Sequence, residues 1–154
     1  MNTNFVLAQE SKQPSNKVDE KNFTTCDLGE FNKIKEYAME NKDLNLKSCG
    51  KIFLHDLLRL SGSEISINSI PAGTKAPFKH LHKENEEVYI ILKGSGIFEL
   101  DNTRIKIKEG SVIKAAPEAV RAIDNDNIEE LIYIAIQTQQ NSLKQYTLTD
   151  ANIV

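Results

Sequence analysis

Tryptophan is absent from this chain, and cysteine, proline and glycine are sparse: two Cys, four Pro and seven Gly in 154 residues. Two cysteines, Cys26 and Cys49, exclude the disulfide framework that staples small secreted domains and leave only a single bridge open. No apolar run approaches the roughly 20 residues that a membrane-spanning helix needs, and Met1 to Gln9 lacks a charged stretch followed by an apolar one. These absences point to a cytoplasmic protein away from membranes. Excess charge of one sign is missing too. With 19 Lys and Arg against 22 Asp and Glu the net charge is -3, which argues against the clustered basic surface of a nucleic-acid-binding domain. What remains is an ordinary composition, 40% hydrophobic and 27% charged, at a length that buries one core without staples.

Residues 1–24 are polar, mixed in charge and without period, so they are expected to form a flexible tail. Residues 25–50 are read as a short helix and a linker. Asp27 and Glu30 stand in capping-box positions, and Phe31, Ile34, Tyr37 and Ala38 share one helical face ending near Asn41. From Lys51 to about residue 140 the pattern is of many short extended segments divided by turn residues, which indicates an all-β sandwich or barrel. Strands are expected near 51–58, 64–70, 77–82, 87–93, 96–100, 103–108, 111–115, 119–124 and 129–137. Gly94-Ser-Gly96, Asp101-Asn102 and Glu109-Gly110 supply residues that tolerate positive φ between them. Ile105 and Ile107 alternate with lysines, as on a half-buried strand. Leu131 to Ile136 is apolar on both faces and belongs to a central strand or a subunit interface. Residues 141–154 form a C-terminal extension.

One stretch concentrates metal-competent side chains: Pro77-Phe-Lys-His-Leu-His-Lys-Glu-Asn-Glu-Glu-Val-Tyr89. His80 and His82 are one residue apart, so on extended backbone both imidazoles point the same way, with roots about 6.6 Å apart at roughly 3.3 Å per residue. Glu87 opens the apolar run Val88 to Leu92 after a polar turn. If the two strands are neighbours, its carboxylate joins the histidines as a two-imidazole, one-carboxylate set with open coordination positions. Glu84 and Glu86 compete for that role, but Glu87 alone begins the apolar strand. His55, in Ile52-Phe-Leu-His-Asp-Leu-Leu58, shares strand parity with Phe53 and Leu57 and is more often packed or exposed than a ligand.

Gly73, His80, His82, Glu87 and Gly94 together resemble the first sequence motif of the cupin superfamily, and Gly110 through Pro117 to Asn125 resemble the second. The resemblance covers about half of the chain and implies a small single-domain cupin. Its fold would be a double-stranded β-helix, or jelly-roll barrel, with a metal inside and a tendency to form homodimers. It departs from the family pattern at Arg121, which stands where a third histidine ligand usually lies. A guanidinium keeps its proton and cannot ligate a metal. The resemblance implies metal ligands His80, His82 and Glu87, holding a divalent ion (Fe, Mn, Ni and Zn are not distinguished). Phe78, Tyr89, Phe98, Arg121 and Tyr133 are the implied ligand-binding residues of the interior. Three arrangements of Arg121 stay open: set back from the ion to grip a carboxylate or phosphate of a small anionic metabolite, paired with Glu87 in place of the metal, or reaching out to the surface. The corresponding functions are a metal-dependent isomerase or lyase, a metal-free binding or sensor protein that uses Arg121, and a mononuclear iron dioxygenase.

Overall fold

The computed structural model describes residues 5–153. In chain order its strands are β1 (Val6–Leu7), β2 (Ser15–Asp19), β3 (Thr24–Asp27), β4 (Ala38–Asn41), β5 (Leu46–Cys49), β6 (Lys51–Phe53), β7 (Glu64–Ile70), β8 (Asn85–Lys93), β9 (Ser95–Leu100), β10 (Thr103–Lys108), β11 (Val112–Ala115), β12 (Arg121–Asp124) and β13 (Leu131–Gln139). Between them lie 3-10 turns at Phe31–Glu36 and Leu148–Asp150 and one helical turn, α1 (His55–Leu58).

Two antiparallel sheets carry the fold: five strands in the order β11-β8-β13-β7-β6, and three in the order β10-β9-β12. Side chains from both meet in one core: Tyr89, Ile91, Leu131 and Ala135 from the larger sheet, and Phe98, Ile107 and Ile123 from the smaller. This is the all-β double-stranded β-helix expected from the sequence. The strand β13, apolar on both faces, is central, with β8 on one side and β7 on the other. The turns use the residues their geometry demands, with φ of 81° at Gly94, 51° at Asp101 and 82° at Gly110.

Strand parity sorts the larger sheet into two faces. Toward the interior, cross-strand rows run Glu87, Gln137, Glu64; then Tyr89, Ala135, Ser66; then Tyr133, Asn68, Lys51, while Phe53, in register with Ser66 on the edge strand, packs against Phe5 of the N-terminal segment. On the outer face one row reads Ile52, Ile67, Ile134, Ile90, Val112. Its first members are covered by a second core that includes Ile34, Tyr37 and Met39. Those residues come from the N-terminal segment, which forms its own three-stranded sheet, β1-β4-β5.

That segment differs from expectation. The helix expected to end near Asn41 is a 3-10 helix of six residues, Phe31–Glu36, followed by β4, and Glu30 at its start makes no side-chain cap. Phe31, Ile34 and Tyr37 recur every three residues, a spacing that suits a 3-10 turn as well as an α-helix. Asp27, read as a cap, instead accepts a hydrogen bond from Asn16 Nδ2 at 2.7 Å, within the β2-β3 hairpin. Residues 5–24, expected as a tail, thus contribute β1, β2 and the start of β3, while residues 1–4 and Val154 lie outside the described residues. Strand 51–58 stops at Phe53, because Leu54 and His55 donate their amides to Glu64 Oε1 and α1 begins. Segment 77–82 is no regular strand. It belongs to the β7-β8 connection, which is stitched to β12 by bridges at Thr74↔Asn125 and His80↔Arg121 and by Ala76 N–H donating to Asp124 Oδ1.

Gly94 and Gly110 share nearly the same φ, but a Cβ on Gly94 would sit 2.4 Å from Glu130 O, whereas one on Gly110 would meet nothing within 4 Å. Gly110→Ala is therefore expected to cost about 1 kcal/mol from backbone conformation alone, and Gly94→Ala at least about 2–3 kcal/mol. Urea unfolding of the two variants checks this; equal losses would show that the crowding at Gly94 is relieved at no cost.

Candidate metal and ligand site

His80 and His82 sit on a loop, and two main-chain attachments fix them. His80 and Arg121 exchange both backbone hydrogen bonds, at 3.1 and 2.8 Å, and His82 N–H donates to Pro117 O at 3.0 Å. Extended backbone between those points turns both rings the same way, and their centroids lie 5.3 Å apart, edge to face. Glu87, at the head of β8, points up from the interior face to meet them. Its Oε2 lies 3.3 Å from His82 Nε2 and 3.8 Å from His80 Nε2.

The same oxygen is the acceptor for two buried donors. Arg121 Nε donates to it at 2.8 Å, and Tyr89 Oη donates a short hydrogen bond. Arg121 is 1% exposed. Its Nη1 is spent on the carbonyls of Ala116, Pro117 and Ala119 at 3.2, 3.1 and 2.6 Å, and its Nη2 is buried with no partner among the described residues. Glu87 alone would be raised by burial; its contacts with His80, Tyr89 and Arg121 outweigh that and hold the carboxyl well below the usual range. Burial pushes His82 down, aided by the charge of Arg121 and against the pull of Glu87, which favours the neutral ring. Tyr89 and Tyr133 are pushed up by burial and by the Glu87 charge, and remain phenols.

One ligand atom from each of His80, His82 and Glu87 falls within 4.8 Å of the other two. Donors about 2.1 Å from a common ion are separated by roughly 3.0–3.4 Å, so this set fits a divalent cation after small adjustments. The ion would share the Glu87 carboxylate with Arg121 and Tyr89, and hydrogen-bonded carboxylate ligands are the rule at such sites.

Of the other expected residues, Tyr89 contacts Glu87 directly, and Arg121 does so from below. Phe98 is fully buried and packs edge-on against Tyr89, with centroids 4.9 Å apart; Tyr133 is half-buried, 6.0 Å from Tyr89. Phe78 is not interior. It is 69% exposed, with its ring 6.3 Å from His80, because the irregular backbone at 77–82 does not hold it to strand parity. His55 lies away from the cluster at the start of α1, paired with Asp56 at 2.9 Å. Glu86, a rival to Glu87, pairs instead with Lys114 at 3.0 Å.

Three neighbours were not anticipated. Gln137, beside Glu87 in the cross-strand register, accepts from Asn85 through Oε1 and turns its Nε2 toward the His82 ring, 3.1 Å from Nε2. Asn68 and Ser66, both buried on the interior face, bond each other at 3.0 Å. Polar residues on the alternate positions of an apolar strand were the available signal.

With this geometry in view, comparison with known proteins is informative. Residues 67–137 match the Cupin_2 model, described as a cupin domain. A crystal structure of a cupin protein from Bacteroides fragilis superposes with a TM-score of 0.65 at 39% identity, covering 68% of this chain and 88% of that one. The chain belongs to the cupin family. This cupin also resembles an uncharacterised protein of Methanocaldococcus jannaschii, 38% identical over 56 residues, which are 36% of this chain and 44% of the relative; the match thus spans less than half of that protein. A structure from Acidithiobacillus ferrooxidans, named as a candidate sugar phosphate isomerase, has a TM-score of 0.52 at 25% identity, covering 59% of each chain.

Removing Arg121 leaves Glu87 charged and uncompensated in a buried position. Arg121→Met is expected to lose about 3–5 kcal/mol of stability in chelator. The double variant with Glu87→Gln should lose less than the two single losses combined, by at least about 1 kcal/mol. Strictly additive losses in urea unfolding would show that the two side chains are not energetically coupled.

Proposed function

We propose that this cupin holds one divalent cation on His80, His82 and Glu87 and uses the open coordination positions to bind a small anionic metabolite. The observation that carries the reading is the meeting of the three donor atoms at the rim of the interior, with both rings partly accessible. A bound ion supplies Lewis acidity toward an oxygen of the ligand, the chemistry that an isomerase or lyase needs. The residues of the chain do the rest. Arg121 and Tyr89 orient Glu87 and keep it ionised, Gln137 orients the His82 ring, and Tyr89, Phe98 and Tyr133 pack together beneath them.

Arg121 acts here as the charge partner of Glu87. Its nearly complete burial and its bonds to three carbonyls leave no bidentate face toward a ligand. The same ion pair also supports the metal-free alternative, in which the pocket is already charge-balanced without a cation. The candidate sugar phosphate isomerase among its structural relatives is consistent with an anionic ligand.

Elemental analysis decides between the two readings. Protein purified without chelator and exposed to Mn²⁺, Ni²⁺, Zn²⁺ or Fe²⁺ is expected to retain about one ion per chain, and His82→Ala to retain none while melting like the parent. Unchanged stoichiometry in His82→Ala would refute the ligand set, and a parent protein that takes up no ion would favour the metal-free pocket.

A further inference from the structure

Lys51 lies on the edge strand β6, in the interior row with Asn68 and Tyr133, two rows below Glu87. Its side chain is half-buried, and among the described residues the contact its ammonium makes is with the Phe53 ring, 4.5 Å from the centroid. Two carboxylates are near enough for their charge to act on it, Glu87 and Glu64. Both are committed elsewhere. Glu87 is taken by Arg121 and Tyr89, and Glu64 Oε1 accepts the amides of Leu54 and His55. Burial pushes the Lys51 ammonium below the ordinary lysine range, against the pull of those two acids. A cation held in such a wall without a carboxylate of its own is costly unless an anion arrives to meet it.

The charges of the site then constrain the ligand. Lys51 and Arg121 balance Glu87 and Glu64, so the pocket is neutral before a metal binds, and a divalent ion leaves it two positive charges in excess. We propose that Lys51 is a second anion anchor and that the ligand is a small dianion, one acidic group on the cation held by His80, His82 and Glu87 and the other on the Lys51 ammonium. This rests on the function proposed above. Asn68 stands between Lys51 and Tyr133 in the row, so the Tyr133 ring would pack against the ligand's carbon skeleton and Asn68 would meet its polar groups, while Phe53 borders the ammonium from the edge strand.

The test compares dicarboxylates of increasing length (malonate, succinate and glutarate) with acetate, by calorimetry on Mn²⁺-loaded protein. One dicarboxylate should bind roughly tenfold or more tighter than acetate, the gain expected of a second charge-assisted contact. Lys51→Met should bring that dicarboxylate to the level of acetate, with Mn²⁺ stoichiometry and acetate affinity unchanged, and Lys51→Arg should restore part of the preference. No dicarboxylate preference in the parent, or a preference that survives Lys51→Met, overturns the proposal. Should Lys51→Met fail to fold, Lys51→Gln gives the same readout. If the parent takes up no Mn²⁺, the metal reading fails on its own. Lys51 is then read in the metal-free protein: acetate or malonate binding lost in Lys51→Met supports the anchor, and binding unchanged overturns it.

Discussion

Everything at the mouth of this cupin converges on one carboxylate oxygen. Glu87 Oε2 receives Arg121 Nε and Tyr89 Oη from within the fold and faces both histidine rings at its rim. An ionised acid this deep is tolerated because the guanidinium beneath it is fixed, and the guanidinium is fixed because three carbonyls of the turn at 116–119 hold its other arm. The pair therefore couples the head of β8 to the start of β12, across the two sheets. Stability and site chemistry reside in the same contact.

In the resemblance read from the sequence, Arg121 takes the position of a third imidazole ligand, and such an exchange would alter what the site can be. An imidazole there would add a donor to the cation; the guanidinium adds a fixed charge and withdraws from coordination. On that reading, the set that would hold an ion is two nitrogens and a shared oxygen, which would leave more open positions and retain the ion less tightly. A site of that kind favours co-binding of an anion over tight storage of metal. The partly exposed histidines and the unpartnered Nη2 beneath them fit this picture.

Much of this arrangement was legible in the sequence, for identifiable reasons. His80 and His82 could be read because extended backbone makes alternate residues co-facial, and two main-chain bonds to residues 117–121 enforce that locally. Glu87 was separable from Glu86 because it alone begins the apolar run, and the structure buries it on alternate positions with Tyr89 and Ile91. Arg121 stood out as a mismatch to the family pattern. Phe78 was misplaced because parity was extended into a loop with no ladder to maintain it. The N-terminal helix failed because a three-residue apolar repeat does not separate a 3-10 turn from an α-helix. Lys51 went unread because its strand looked longer than it is, and the amides that Glu64 captures at Leu54 and His55 were not visible as a stop. The doubly apolar β13 was read correctly as a candidate central strand, but the cover on its outer face comes from residues whose pairing with distant segments no local pattern reveals.

The connection between β7 and β8 is sewn to β12 at both extremities, through Asn125 at one and Arg121 at the other. Asn125 is fully buried and also holds the carbonyls of Ile70, Pro71 and Glu129. A loop clamped in this manner has little slack, so the chain itself holds the two imidazoles in place. Capture of an ion would then demand scant reorganisation, and discrimination among cations would follow ionic radius, because the cradle cannot breathe to suit a larger guest.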